Sequence, residues 1–292
     1  MKKTALIYKW TLSAFLVVIA AVMVFPIIFT LMNSFMSENE IGRNYDLIGQ
    51  VLDINLVDSN PFITLKLIPD WVTFEQYGKI LFGTPTYLNM FWNSVFMVVP
   101  IILGQVLFAS LAAYAFAKLR FRGRDPLFLV YVIVMLMPFQ VTLVPNYIIA
   151  DHLGLLNSAS AIVLPGIFAA FGVFMLRQFM LSIPYSYIEA AIMDGAGHLK
   201  IFVQIILPLI KPGISALVIL LFVDYWNMVE QPLIFLEDAF KQPLSLYLSR
   251  IQEEARGIGF AASVLYMSPM LLLFLYTESY FIEGVQMSGI KG

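Results

Sequence analysis

No cysteine occurs anywhere in the 292 residues, which excludes disulfides, thiolate nucleophiles and Cys-ligated metal. Histidine is almost as scarce. His152 and His198 are the only two, neither has a second ligand at metal spacing, and both read as loop residues, so no metal site is expected. The chain also lacks a G-x-x-x-x-G-K-S/T run, and with it any phosphate-cradling loop of its own. Charge is in short supply: Asp, Glu, Lys and Arg make up 12% of the chain, against about 25% in a soluble domain. The basic residues sit in short clusters between apolar windows and the net charge is -2, a pattern that argues against a nucleic-acid footprint.

What the chain has in abundance is apolar surface, since 60% of its residues are hydrophobic. A helix needs roughly 20 mostly apolar residues to cross a hydrocarbon core about 30 Å thick. Windows of that kind lie at about residues 10–32, 88–117, 127–150, 160–181, 211–235 and 260–282. They predict an all-α membrane protein of about six spans, organised as a single transmembrane domain over 1–292. Lys2, Lys3 and Lys9 resemble the head of a secretory signal. The stretch Trp10–Met32 is too long for a signal core, however, and no small-residue cleavage site follows, so it reads as a retained first span. Lys and Arg concentrate on the cytoplasmic side of membrane proteins. Placing the N-terminus inside puts eleven of the 17 basic residues there and six outside, so both termini are expected in the cytoplasm.

In that topology residues 36–87 form an exterior loop too long for a simple connection. It carries Glu38, Glu40, Asp46, Asp53, Asp58, Asp70 and Glu75 against Arg43, Lys66 and Lys79, and reads either as a solvated cap or as a surface for an external partner. A second exterior stretch, about 236–259, suits a short helix around Leu244–Glu254. No internal repeat is visible, so an inverted-repeat secondary transporter gains no support.

The polar interruption at 182–210 is the most informative segment. Ser182 and Pro184 suit a helix start, the run Glu189-Ala190-Ala191 suits a helix body, and Gly195 and Gly197 supply a stop where positive φ is needed. A second short helix is expected from about His198 to Leu207, before Pro208 and Pro212. A small-residue face with one carboxylate suits docking in a partner's groove, although a plain connecting hairpin would have the same pattern. Glu189-Ala190-Ala191, Gly195 and Ile205-Ile206-Leu207-Pro208 together resemble the EAA loop of inner-membrane permeases of ABC importers. Further stretches are similar to carbohydrate permeases of the MalG type: Thr73-Phe74-Glu75-Gln76-Tyr77, Asn93-Ser94, Ala112 to Gly123, Gly154-Leu155-Leu156-Asn157, Trp226-Asn227 with Pro232-Leu233, and the ending Gly289-Ile290-Lys291-Gly292.

The resemblance implies a permease in the bacterial cytoplasmic (inner) membrane that translocates a sugar or oligosaccharide delivered by a solute-binding protein. It implies a second homologous permease and two cytoplasmic ATPase subunits as partners, with membrane lipid around them and no nucleic acid. ATP and Mg would be held by the ATPases and no cofactor by this chain, which is thus not itself an enzyme. The segment at 182–210 would be the coupling loop: Glu189 would meet a basic residue of the ATPase, Gly195 would allow the turn, and Asp194 and Gly197 would shape its exit. Gln286 to Gly292 would correspond to a tail that reaches into the ATPase dimer.

Ionisable residues inside a membrane are costly and usually face a cavity, which makes Asp224, Glu230 and Glu278 candidates for the substrate pathway. Asn93, Asn227 and Gln231 could hydrogen-bond sugar hydroxyls, and Trp226 or Tyr225 could offer an aromatic face. Glu230 and Glu278 could equally meet water near span ends, and Asn93 could only bridge helices. These acids depart from the usual polar-neutral pattern and leave a cationic or metal-bound substrate open. They would also serve the alternative, an ion-coupled secondary transporter, as coupling carboxylates. An intramembrane hydrolase would need a nucleophile with its base or paired aspartates at membrane depth, and no such constellation of catalytic residues is present.

Overall fold

A computed structural model describes residues 2–45, 65–251 and 256–289. Asp46, Asp53 and Asp58, the Glu253–Glu254 pair and the chain end at 290–292 lie outside the described residues. Every regular element among the described residues is helical. Helices α1 (Lys2–Asn33), α4 (Thr86–Lys118) and α14 (Arg256–Gly289) are apolar around their whole circumference, which is the pattern of a helix without a water-facing side. From Tyr8 onward α1 leaves Phe15, Val17, Val22 and Met23 exposed, a surface that only hydrocarbon or another apolar helix could cover.

Among the described residues, four stretches are long and apolar enough to span: Tyr8–Asn33, Thr86–Lys118, Ser160–Leu181 and Arg256–Glu278. Counting each of two bent pairs as one span, Arg124–Leu136 with Phe139–His152 and His198–Leu209 with Lys211–Trp226 (73°), brings the number to six, the expected count but not the expected shape. The third is broken by 101° between α5 (Arg124–Leu136) and α6 (Phe139–His152). Pro138 accounts for the break, because it forces Met137 into extended backbone and has no N–H to continue the ladder. The fifth ends early: α12 (Lys211–Trp226) stops at Asn227 and a separate α13 occupies Glu230–Phe235. Of the helix expected around Leu244–Glu254, the described part, up to residue 251, is two single 3-10 turns, Leu244–Leu246 and Leu248–Arg250.

The chain forms two compact units. The first comprises Met1–Tyr87 and Tyr247–Ser268. Here α2 (Glu38–Tyr45) is tied down by its own carboxylates. Glu40 accepts the Asp70 backbone N–H at 2.8 Å and pairs with Lys66 at 2.9 Å; Glu38 accepts from the Gln76 amide at 2.9 Å and from the Gly257 N–H at 3.3 Å. Met36, Ile41 and Tyr45 pack with Phe29 and Phe260 beneath it. The described part of the 36–87 segment is therefore a packed elaboration, closed by the short α3 (Glu75–Gly78) and a π turn at Lys79–Gly83.

The second unit comprises Leu88–Leu246 and Pro269–Gly292. Its span 160–181 is two helices, α7 (Ser160–Ile167) and α8 (Ala170–Leu181). Glycine and alanine set how closely these helices approach. A Cβ at Gly104 would stand 2.7 Å from Ile167, one at Gly172 would stand 3.0 Å from Ala109, and one at Gly213 would stand 2.7 Å from Phe179. Small residues at such crossings let van der Waals packing hold helices together where lipid supplies no hydrophobic drive.

Candidate functional site

Three helix interruptions converge on one cavity in the second unit. Met137 at the α5–α6 bend, Phe168 and Ala169 between α7 and α8, and Asn227 to Val229 between α12 and α13 all line a cavity of about 1150 Å³. Open backbone at membrane depth is tolerated only where protein or a water-filled cavity covers it, since each unsatisfied group costs several kcal/mol. The middle break carries its own remedy. Gln105, fully buried in α4, donates its side-chain amide to the Ala169 carbonyl at 3.3 Å.

The cavity wall carries Asp224, Glu230, Asn146, Asn227, Gln231 and the hydroxyls of Thr142 and Tyr131, set among Val130, Val134, Met135 and Phe171. Such a lining, apolar with a few polar groups, is the usual character of a small-molecule site. The side-chain amide of Gln140 lies 3.3 Å from Glu230 and orients that carboxylate. Asp224 opens onto the cavity, which reduces the roughly 2.5–3.5 kcal/mol that insertion scales assign to an aspartate at a helix centre. Among the described residues, no Lys, Arg or His lines the cavity.

Of the residues expected on the pathway, Asp224, Asn227 and Glu230 meet at this wall. Trp226 does not: it is 1% exposed, stacked on Phe222 at 5.1 Å and edge-on to Phe91 at 5.8 Å. At the end of α12 it points about 100° away from Tyr225, and its ring packs into the core instead of the cavity lining. Tyr225 takes the aromatic place in the lining instead. Asn93 is used elsewhere, donating to the Phe240 and Gln242 carbonyls at 2.6 and 3.1 Å, and Glu278 is exposed on α14 away from the cavity lining. Hydropathy windows alone do not reveal the bends at Met137 and Phe168; the Met137-Pro138 step is a legible sign of the first, and the second has none so plain.

The second candidate region is the segment at 182–210. Helix α9 runs Ser186–Met193 and ends in a Schellman turn. Gly195 stands at φ 78°, its N–H bonds the Ile192 carbonyl at 2.9 Å, and the Ala196 N–H returns to Ala191 at 2.9 Å. A non-glycine residue is strained at that φ although open space surrounds the position. Helix α10 (His198–Ile201), a π turn at Phe202–Ile206 and α11 (Leu207–Leu209) follow, close to the expected second helix. Glu189 and Ala190 face outward, whereas Ala191 is buried beside Ile188. Asp194 and Gly197 are exposed at the turn. Around Glu189 stands an apolar rim that sequence reasoning missed, with Tyr187 and Ile192 exposed, Met193 87% exposed and Leu199 72% exposed.

Residues 105–280 match the family described as "Binding-protein-dependent transport system inner membrane component". The chain is 32% identical over 294 residues to the arabinooligosaccharides transport system permease protein AraQ of Halalkalibacterium halodurans, covering 100% of this chain and 99% of that protein. It is 30% identical over 268 residues to the diacetylchitobiose uptake system permease protein NgcG of Streptomyces coelicolor, covering 89% of this chain and 82% of the other. Among solved structures it is similar to a chain of a bacterial ABC transporter involved in the import of the acidic polysaccharide alginate, with a TM-score of 0.77, 24% identity, and coverage of 94% of this chain and 96% of that one.

Proposed function

The chain belongs to the family of binding-protein-dependent transport system inner membrane components, and from that premise we propose that it supplies one half of the pathway by which an ATP-driven importer carries an oligosaccharide inward. It is a multi-pass membrane protein and a transport subunit, and it works in a complex with other components of an ABC importer. The observation that carries the proposal is the convergence of three helix breaks on one cavity lined by carboxamides, hydroxyls and two carboxylates. Amides and hydroxyls match the donors and acceptors of a saccharide, and the apolar wall between them suits its C–H faces.

In this mechanism a solute-binding protein delivers the sugar to the exterior side, and two ATPase subunits, holding ATP and Mg, close and displace α9. Both termini and α9 lie in the cytoplasm, and a second homologous permease completes the pathway. The exposed rim of Tyr187, Ile192, Met193 and Leu199 around Glu189 suits an apolar cleft with a basic residue at its base. The tail from Gln286 to Gly292 is assigned, by the family resemblance alone, to contact with the ATPase dimer. Because the wall bears Asp224 and Glu230 and, among the described residues, no base, the substrate is a neutral oligosaccharide in preference to an acidic one.

The test is a tagged pull-down from native membranes in mild detergent, with mass spectrometry of what co-purifies. An ATPase, a second permease and a solute-binding protein are expected. Recovery of the chain alone, with uptake that follows an ion gradient, would overturn the proposal. Glu189→Lys should lower ATPase recovery severalfold while leaving the permease pair intact.

A further inference from the structure

We propose that α4 is the strut through which movement of the α9 segment reaches the opposite end of the second unit, and that Lys118 and Tyr114 are the positioning residues that fasten it. The inference rests on α9 being the ATPase-facing helix. Lys118 is only 7% exposed at the last turn of α4, and its ammonium donates to the Ile183 carbonyl at 2.6 Å. Among the described residues no carboxylate lies within ion-pair distance of it. A charge so enclosed is held by its acceptor, and here that acceptor is the backbone just ahead of α9. Tyr114, four residues earlier and on the same helix face, shares a hydrogen bond of 3.4 Å with His198 Nδ1 and lies 5.3 Å from the Phe202 ring. Ile183 precedes α9 and His198 follows it, so the two contacts grip the segment on both sides.

The other end of α4 is fastened in the same manner. Asn89 and Asn93, again four residues apart, each donate to the Phe240 carbonyl at 2.6 Å, and Ser94 Oγ accepts the Leu244 N–H at 2.8 Å. Ser245 in turn donates to the carbonyl of Met228, a residue of the cavity wall. From Asn89 to Lys118 the helix spans roughly 44 Å at 1.5 Å per residue, and its middle is wedged by the Gly104 and Gly172 contacts. Displacing the 183–198 segment must therefore either drag α4, and with it residues 240–245, or break the Lys118 and Tyr114 contacts.

Because this chain has no native cysteine, a single introduced thiol can be followed on its own electrophoretic band within the intact complex, without knowing the substrate. Phe240→Cys places a thiol at a position where the native side chain is 67% exposed. Its labelling rate with fluorescein maleimide is compared in the nucleotide-free complex and after trapping with ATP and vanadate. Trapping should change the rate by about fivefold or more, the usual scale of coupling between distant sites. With Lys118→Met added the change should collapse while ATPase recovery and complex yield stay constant, and Lys118→Arg should restore it. Where Lys118→Met fails to assemble, Tyr114→Phe removes only a hydroxyl and should shrink the change by itself. A full change in Lys118→Met or Tyr114→Phe, or no change in the parent, overturns the strut. Loss of the ATPase from the parent preparation would instead count against α9 as the docking helix.

Discussion

Asn157 shows how one residue can serve several roles through both its backbone and its side chain. It sits at φ 56°, where Asn is among the few non-glycine residues tolerated, and its polar groups join two loops. Its N–H donates to the Phe235 carbonyl at 2.8 Å, its Oδ1 accepts from Asp238 at 3.1 Å, and its carbonyl accepts from Lys241 at 3.0 Å. Asn157→Ala should cost about 1–3 kcal/mol through the lost acceptor and the strained φ, and Asn157→Gly should recover part of that loss; thermal unfolding in detergent distinguishes them. Gly257 is constrained differently, since a Cβ would stand 2.6 Å from Glu38 and 2.7 Å from Gln76. Gly257→Ala should therefore loosen α2, read as faster proteolysis of the 36–87 segment. At Lys66 and Asp70 the hydrogen bond between them raises the lysine and lowers the aspartate from their ordinary ranges. The aspartate's share of stability is present above the ordinary carboxylate range and lost as pH falls through its lowered value. The lysine's share is present below the ordinary lysine range and lost only as pH rises through its raised value. Removing the pair by Asp70→Asn should accordingly leave the shape of the stability profile unchanged between pH of about 5 and 9.

Among the elements, α9 is the one whose form is most legible in the amino-acid sequence. Its Ala-rich body and the left-handed Gly195 stop follow from the local pattern, because helix propensity and a C′ glycine act locally, whereas its start does not: Ser182, expected to open it, caps the end of α8, and α9 begins at Ser186. Gly195→Val should strain the Schellman turn by about 1–2 kcal/mol and uncouple ATP hydrolysis from uptake, with membrane insertion unaffected; uptake at the normal rate per ATP would sink that role. The spans are legible in number, since hydropathy needs no tertiary information, but their interruptions are only partly so. Pro138 announces a break, yet Pro100, Pro145, Pro165 and Pro269 all lie inside continuous helices, so proline alone does not decide where a helix bends. The break at Phe168–Ala169 depends on Gln105 from another helix to satisfy a freed carbonyl, a contact 64 residues away in sequence. The orientation of Trp226 is hidden for a related reason. Adjacent residues on a helix point about 100° apart, and only the position of Phe222 and Phe91 decides which of Tyr225, Trp226 and Asn227 the core claims.

For the whole molecule, the sign of the cavity is the property that should decide what passes. A carboxylate and an anionic sugar about 6 Å apart repel by roughly 0.7 kcal/mol at the dielectric of water and roughly 2.8 kcal/mol at an effective value of 20. Across a wet cavity each of Asp224 and Glu230 thus disfavours an acidic saccharide by about three- to a hundredfold relative to a neutral one of the same shape. The solute-binding protein filters substrates before they reach the cavity, but it is unchanged by substitutions here, so a ratio measured with one binding protein isolates the wall. With neutral and uronate oligosaccharides of equal length offered to the reconstituted complex, Asp224→Asn with Glu230→Gln should raise the acidic-to-neutral uptake ratio by about threefold or more. The amides keep the hydrogen-bonding capacity of the wall, so neutral uptake should fall little. An unchanged ratio, with neutral uptake intact, would mean that the two carboxylates do not face the moving substrate and that the charge of the pathway is set by the partner permease.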